Sequence, residues 1–273
     1  MPKVTLIGCG WFGLPFAKSL LKQGFHVSAN KRLAQDITPL NDIGIDGFQL
    51  DLADVDCIEP KHISAIEQHF DSDFLVINIP PGLRRKESQY LDNLLRLKQI
   101  IADKQYQRLI FISSTGVYPS QNKAVDESDA QAFNLVSQTL LQAEAIFSQM
   151  HNATVVRFAG LIGPKRHPGR FFAGKNDVAG GQMAVNLVHL EDCIAAVTLI
   201  MQSDNARGIY NLCAPIHPTK SVFYTKACEH LGVALPTFNE ESVADKTILA
   251  ERIVSQLGFN YQFQDPVKML DAC

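Results

Sequence analysis

The segment Lys3-Val4-Thr5-Leu6-Ile7-Gly8-Cys9-Gly10-Trp11-Phe12-Gly13 constrains the chain more than any other, because an apolar strand pattern runs directly into G-x-G-x-x-G and on into a helical repeat. Each glycine answers a separate demand. Gly8 permits the tight turn, Gly10 lets main-chain N–H groups approach a pyrophosphate, and Gly13 lets the helix pack closely on the strand. Phe16, Leu20 and Leu21 then share one helical face, and Gly24 ends the pattern. The turn, with Trp11 and Phe12 at the positive end of the helix, is therefore expected to hold the diphosphate of a dinucleotide.

Strand and helix patterns alternate with short connections through residue 158, as in a doubly wound, Rossmann-like parallel sheet. Strands are expected at about 3–8, 25–29, 47–50, 73–79, 107–113 and 153–158. The clearest helices are expected at 12–23, 87–104 and 133–150. The runs Phe74-Leu75-Val76-Ile77 and Leu109-Ile110-Phe111-Ile112 are continuous rather than alternating, which marks strands buried on both faces. After Arg157 a loop-rich stretch follows, punctuated by Gly160, Gly163, Pro164, Pro168, Gly169, Gly174, Gly180 and Gly181. A helix (190–203), a strand (209–213) and two more helices (219–231 and 242–257) should build a smaller α+β substrate lobe over the carboxyl edge of the sheet. The expected division is 1–165 for the dinucleotide domain and 166–273 for the lobe.

The second strand ends in Ser28-Ala29-Asn30-Lys31-Arg32, with no carboxylate for a ribose hydroxyl and two cations for a 2′-phosphate. This predicts NADP(H) in preference to NAD(H), Asn30, Lys31 and Arg32 lying at the adenosine ribose; the alternative is a solvated helix start. Asp51 and Leu52, past the third strand, are expected to border the adenine. Ile79, Pro80 and Pro81, past the fourth, are expected to border the central ribose and diphosphate.

A formal charge of −3 gives no reason to expect nucleic acid or an anionic membrane as partner. A first strand at residue 3 leaves no room for a leader, and no apolar run reaches the roughly 18 residues of a membrane span. A soluble, cytoplasmic protein is expected. The six cysteines form no C-x-x-C pair and the eight histidines no metal-ligand spacing, so neither a disulfide framework nor a metal is predicted.

Ser113-Ser114-Thr115-Gly116-Val117-Tyr118, at the end of the fifth strand, together with the opening glycines resembles the extended short-chain dehydrogenase/reductases of the NAD-dependent epimerase/dehydratase type. Arg157-Phe158-Ala159-Gly160-Leu161-Ile162-Gly163-Pro164 resembles that family's segment facing the nicotinamide. Val188-His189-Leu190-Glu191-Asp192 resembles its V-H-x-x-D helix start, and Gly208-Ile209-Tyr210-Asn211-Leu212 its late G-x-Y-N strand. The fine texture, including His167-Pro168-Gly169-Arg170-Phe171-Phe172-Ala173-Gly174-Lys175, is close to the atypical YeeZ-type branch.

The resemblance implies that Ser114 hydrogen-bonds the reacting carbonyl or hydroxyl, with Thr115 beside it. It places Ser113, Phe158, Ala159, Gly160 and Leu161 at the cofactor and His189 at the substrate. One departure is large: the family's Tyr-x-x-x-Lys occurs nowhere in this chain, and the helix from Phe133 to Glu144 carries neither residue type. Positioned acid–base chemistry is worth a factor of about 10² to 10⁴ in rate. Tyr118 and His167 are the candidate replacements, against readings as an aromatic plug and as a surface histidine; Glu144 lies at the wrong depth for that role.

Two basic clusters, Arg84-Arg85-Lys86 and Lys165-Arg166 with Arg170, follow strand carboxyl ends and suit an anionic small-molecule substrate, or are ordinary solvated loops. Two functions follow: an NAD(P)-dependent oxidoreductase or epimerase/dehydratase acting on a hydroxyl or carbonyl (aldehyde, ketone or sugar nucleotide) of a small anionic metabolite, or a non-catalytic NADP(H)-binding sensor. Family dimers pack the helices at 87–104 and 133–150, but no apolar seam shows on them here, so monomer and homodimer stay open.

Overall fold

The computed structural model describes residues 1–82 and 89–273. Its elements are β1 (Lys3–Ile7), α1 (Gly13–Lys22), β2 (His26–Lys31), α2 (Thr38–Asn41), β3 (Asp46–Gln49), α3 (Pro60–Ile66), β4 (Phe74–Ile77), α4 (Tyr90–Ile100), β5 (Arg108–Ser114), β6 (Lys123–Val125), α5 (Leu135–Ser148), β7 (Ala153–Phe158), β8 (Gly160–Ile162), β9 (Leu187–His189), α6 (Leu190–Gln202), β10 (Gly208–Leu212), α7 (Lys220–Leu231), β11 (Lys246–Ile248) and α8 (Glu251–Leu257). Strands β10-β7-β5-β4-β1-β2-β3 form one seven-stranded sheet, flanked by helices. The pairings β1 with β2 and β4, β2 with β3 and β4 with β5 are all parallel. This is the Rossmann-like doubly wound arrangement. The strand order reverses between β1 and β4, the position at which open α/β sheets bind ligands.

The chain groups into two compact units that interleave in sequence. The first comprises residues 1–113, 134–156 and 206–208; the second comprises 114–133, 157–205 and 209–273. Whereas the sequence suggests one cut after residue 165, here β7 and β10 both pass from one unit to the other within a strand, and the chain changes unit between Ser113 and Ser114.

In the first unit Leu75, Val76 and Ile77 of β4 and Leu109 and Ile110 of β5 have no exposed surface. Each buried aliphatic side chain of this size contributes about 1.5–3 kcal/mol, which is why these strands tolerate no alternation. Helix α1 has no side-chain cap; it is held by its buried face, Phe16, Ala17 and Leu20, with the Phe16 ring stacked on Phe12 at 5.3 Å. Helix α5 starts differently, in a reciprocal box: Asn134 Oδ1 accepts from Ser137 N–H, and Ser137 Oγ accepts from Asn134 N–H.

The second unit has its own apolar cluster, in which Ile162, Val185, Leu187, Ala214, Phe223, Ala227, Met269 and Leu270 are buried together. Two short parallel pairs, β8 with β9 and β6 with β11, brace it. The expected helix over 242–257 is corrected here: Lys246–Ile248 is a strand paired with Lys123–Val125, and α8 begins only at Glu251. No helix among the described residues is long and apolar enough to cross a membrane. All six cysteines are free thiols.

Asp192, in the first turn of α6, is buried, and its two oxygens accept from the N–H groups of Gln262 (2.7 Å) and Phe263 (3.1 Å), pinning the C-terminal chain. Burial lifts its carboxyl to about 6, against the pull of those two N–H groups. The folded protein therefore holds this proton more tightly than the unfolded chain. Its share of stability is complete below the ordinary carboxylate range and is lost as pH rises through about 6. Raising the pH from about 4 to about 7 should lower the thermal midpoint of the wild type more than that of Asp192→Asn. Parallel pH profiles in differential scanning calorimetry would contradict this.

Candidate functional site

At the end of β1, Gly8 has φ +103°, and a Cβ there would lie 2.1 Å from the Asn78 carbonyl oxygen. A Cβ at Gly13 would lie 2.4 Å from the Gly8 carbonyl oxygen. Both positions exclude any side chain on the protein's own account. Gly10 differs, because a Cβ built on it meets no atom of the described residues within 4 Å, its chain neighbours aside.

The turn is held from two strands. The Gly8 N–H donates to Asn30 Oδ1 (2.8 Å), and the other end of that amide donates to the Leu50 carbonyl (3.0 Å). Asn78 Nδ2 donates to the Gly8 carbonyl (3.1 Å). Lys31 Nζ donates to the Cys9 carbonyl (2.8 Å), so its ammonium lies against the turn with two further hydrogens to donate. Burial pushes the Cys9 thiol pKa up, with Lys31 pulling it back. The first turn of α1 carries no acidic residue, so no carboxylate competes for the helix's positive end.

The remaining sequence-selected positions of the first unit fall as follows. Arg32 is exposed. Asp51 turns back to accept from the Ala53 N–H (3.1 Å), and the carbonyl of buried Leu52 is fixed by Arg96 Nη1 (2.8 Å). Ile79 and Pro81 are half-buried and Pro80 is exposed, directly after Asn78. Ser113 is buried, and its Oγ donates to Glu144 Oε1 (2.6 Å). Arg84, with Arg85 and Lys86, lies outside the described residues.

The second unit begins with Ser114, whose half-buried hydroxyl accepts from the Gly116 N–H (3.1 Å) in a one-turn cap; Thr115 follows, buried. Tyr118 is completely buried. Its hydroxyl donates to Asn211 Oδ1 (2.6 Å) and accepts from Arg157 Nη1 (2.7 Å). Arg157, itself 2% exposed, also donates to the Glu127 carbonyl, while Glu127 Oε1 accepts from the Asn211 N–H (2.8 Å). Burial pushes the Tyr118 phenol to about 12, the Arg157 charge only partly offsetting it. In this structure the Tyr118 hydroxyl proton is engaged by Asn211.

For the other candidate donor, His167, the surface reading is corrected, since the side chain is buried. It is 6% exposed; Nδ1 accepts from the Gly169 N–H (3.1 Å) and Nε2 lies 3.1 Å from His230 Nδ1. Burial, then the neighbouring His230 and Arg170, holds its pKa below the usual range. His189, expected at the substrate, is buried as the cap of α6, with Nδ1 accepting from the Glu191 N–H and Nε2 3.3 Å from the Ala272 carbonyl.

Phe158 and Ala159 are buried, Leu161 is half-buried and Gly160 is exposed. The Gly160 N–H donates to the Asn186 carbonyl (3.0 Å). Arg166 and Arg170 are exposed. Sequence reasoning passed over Asn78, although it is the single polar residue in the run from Phe74 to Ile79, and also Lys246, whose Nζ donates to the Tyr118 carbonyl.

No family model matches the sequence. Among solved structures, the fold is shared with a functionally unknown conserved protein from Silicibacter pomeroyi (TM-score 0.79, 18% identity, 100% of this chain and 98% of that one). It is shared also with UDP-glucose 4-epimerase from Thermotoga maritima, solved with UDP-glucose (0.78, 14%, 99% and 98%). MoeE5, solved with UDP-glucose and NAD, is a third (0.77, 17%, 99% and 96%). At sequence level, Protein YeeZ of Escherichia coli (strain K12) is 37% identical over 281 aligned positions, covering 98% of this chain and 99% of that protein. Likeness of that depth along both whole chains means that this protein belongs to the YeeZ family, on the fold of the extended short-chain dehydrogenase/reductases.

Proposed function

We propose that this protein binds NADP(H) at the Gly8–Gly13 turn and serves hydride chemistry at a hydroxyl or carbonyl of a small anionic metabolite. The observation that carries the reading is Gly10. Its neighbours in the motif are glycine because the protein's own backbone leaves no room, but among the described residues no atom requires glycine at position 10. A ligand that must approach the main chain there accounts for it. The bound dinucleotide would supply the hydride.

The chain's own groups supply the rest. The amino end of α1 faces the diphosphate, and the Asn30 amide keeps the turn in shape for it. Lys31 and Arg32 meet the 2′-phosphate that distinguishes NADP from NAD. Ser114 and Thr115 orient the substrate oxygen without bringing charge to it. Arg166 and Arg170 favour an anionic substrate, and two of the similar structures hold UDP-glucose, which makes sugar nucleotides the first compounds to try.

A second reading, a dinucleotide-binding protein without turnover, is favoured by the locked Tyr118 hydroxyl and the lack of tyrosine and lysine on the face of α5. NADPH oxidation against aldehydes, ketones and sugar nucleotides separates the two: turnover that falls in Ser114→Ala supports the enzyme, and tight NADPH binding with no turnover across the panel supports the sensor.

Gly10→Ala should leave the thermal midpoint unchanged or raise it, since glycine-to-alanine changes at compatible backbone positions stabilise by about 0.4–1 kcal/mol. The same change should weaken NADPH binding in calorimetry, whereas Gly8→Ala, with its positive φ and its overlap on Asn78, should unfold the protein at markedly lower temperature. Unaltered NADPH affinity in Gly10→Ala would overturn the reading. For the cofactor preference, Arg32→Ala should weaken NADP⁺ by roughly tenfold or more, the worth of one charge-assisted contact, and leave NAD⁺ unchanged. Equal losses for both cofactors would remove the preference.

A further inference from the structure

Lys246, in the second unit, is a cation with no ion-pair partner among the described residues. Lys246 lies on β11 and shares a strand face with Ile248, which is 1% exposed, so its side chain starts from the buried side of the β6–β11 pair. Its register partner across that pair, Lys123, is exposed and bonded to Asp129 (2.6 Å). Lys246 is half-buried, and no carboxylate lies within 4 Å of its ammonium among the described residues. The neighbouring Asp245 carboxylate is occupied by the Ala184 N–H. Nζ makes one contact, to the Tyr118 carbonyl, which leaves two ammonium hydrogens to donate.

The backbone around this lysine is tightly held. Asn186 grips β11 on both sides of Thr247: its Nδ2 donates to the Lys246 carbonyl (2.9 Å) and its Oδ1 accepts from the Ile248 N–H (2.8 Å). The same Asn186 accepts from the Gly160 N–H through its main chain. The Tyr118 carbonyl touched by Nζ belongs to the turn that starts at Ser114, closed by the Tyr118 N–H on the Thr115 carbonyl (3.3 Å). One asparagine and one lysine thus tie together the Ser114 turn, the Gly160 segment and β11, all inside the second unit.

We infer that Lys246 is a substrate-contacting residue of the carbonyl site, its free ammonium hydrogens meeting the same substrate oxygen that Ser114 addresses. The inference rests on the carbonyl chemistry proposed above and names the group that stands in for the missing cation of Tyr-x-x-x-Lys. A half-buried ammonium with no carboxylate in direct contact among the described residues polarises a carbonyl more strongly than a hydroxyl alone. Burial lowers the Lys246 pKa, the neighbouring Asp245 charge only partly offsetting it, so more of it is present as free amine than at an exposed lysine.

The test uses the whole wild-type protein and pyridoxal 5′-phosphate, an anionic aldehyde, as probe. The amine of an accessible lysine condenses with the aldehyde, releasing water, and cyanoborohydride delivers hydride to the imine to leave a stable secondary amine. Peptide mass spectrometry at limiting probe should find Lys246 modified ahead of the exposed lysines, and the fast-labelled peptide should be lost in Lys246→Met. Label spread over exposed lysines with Lys246 unmodified, or modified no faster than they are, would overturn the inference. The labelling requires no dinucleotide, so a protein that fails to bind NADPH in calorimetry but labels at Lys246 would refute the proposed cofactor and not this site.

Discussion

The close approach of Gly8 to Asn78 is the constraint from which the first unit is organised. With 2.1 Å between a hypothetical Cβ and the Asn78 carbonyl oxygen, only glycine lets the end of β1 lie against the end of β4. The same contact fixes the direction of the chain entering α1. Two asparagine amides then secure it from opposite sides, Asn30 on the Gly8 N–H and Asn78 on the Gly8 carbonyl. The result is a rigid main-chain turn at the point where the strand order reverses, and a ligand bound there would find the amides already oriented.

The second unit is organised around buried polar groups rather than a turn. Arg157 is almost wholly buried and is held by the Tyr118 hydroxyl and the Glu127 carbonyl, while Glu127 holds the Asn211 main chain and Asn211 closes the circuit on Tyr118. Removing one partner from a buried charge of this kind costs about 3–5 kcal/mol. That expense accounts for the full burial of a tyrosine placed four residues after Ser114. Tyr118 and His167 are both engaged by protein partners, and Lys246 Nζ reaches the Tyr118 carbonyl of the Ser114 turn.

The sequence made the first unit legible because its signals are local. Each motif glycine reports a geometric demand within a few residues, and the unbroken apolar runs of β4 and β5 can be satisfied only by burial on both faces. Asn30 was selected for the cofactor's ribose, and its amide proves also to clamp the turn. The second unit is harder to read. Strands β6 and β11 are three residues long, their pairing spans more than a hundred residues of chain, and Lys123 and Ala124 are exposed, so no periodicity announces them. A helical pattern was accordingly expected through Lys246, which hid the lysine's approach to Tyr118. For Tyr118 the sequence allows both an acid and a plug, and the hydrogen bonds to Asn211 and Arg157 that bear on the choice come from residues distant in the chain. Glu144 was set aside as misplaced for acid chemistry; the structure turns it onto Ser113, a contact that helix periodicity does not reveal.

The central claim is that the main-chain amides at the start of α1 hold a dinucleotide diphosphate, and it is tested most directly by a crystal structure of the protein grown with NADP⁺. The account predicts diphosphate oxygens within hydrogen-bonding distance of the amides between Gly10 and Gly13, with the 2′-phosphate at Lys31 and Arg32. A crystal saturated with NADP⁺ whose diphosphate lies elsewhere, or whose turn carries no density, would contradict it.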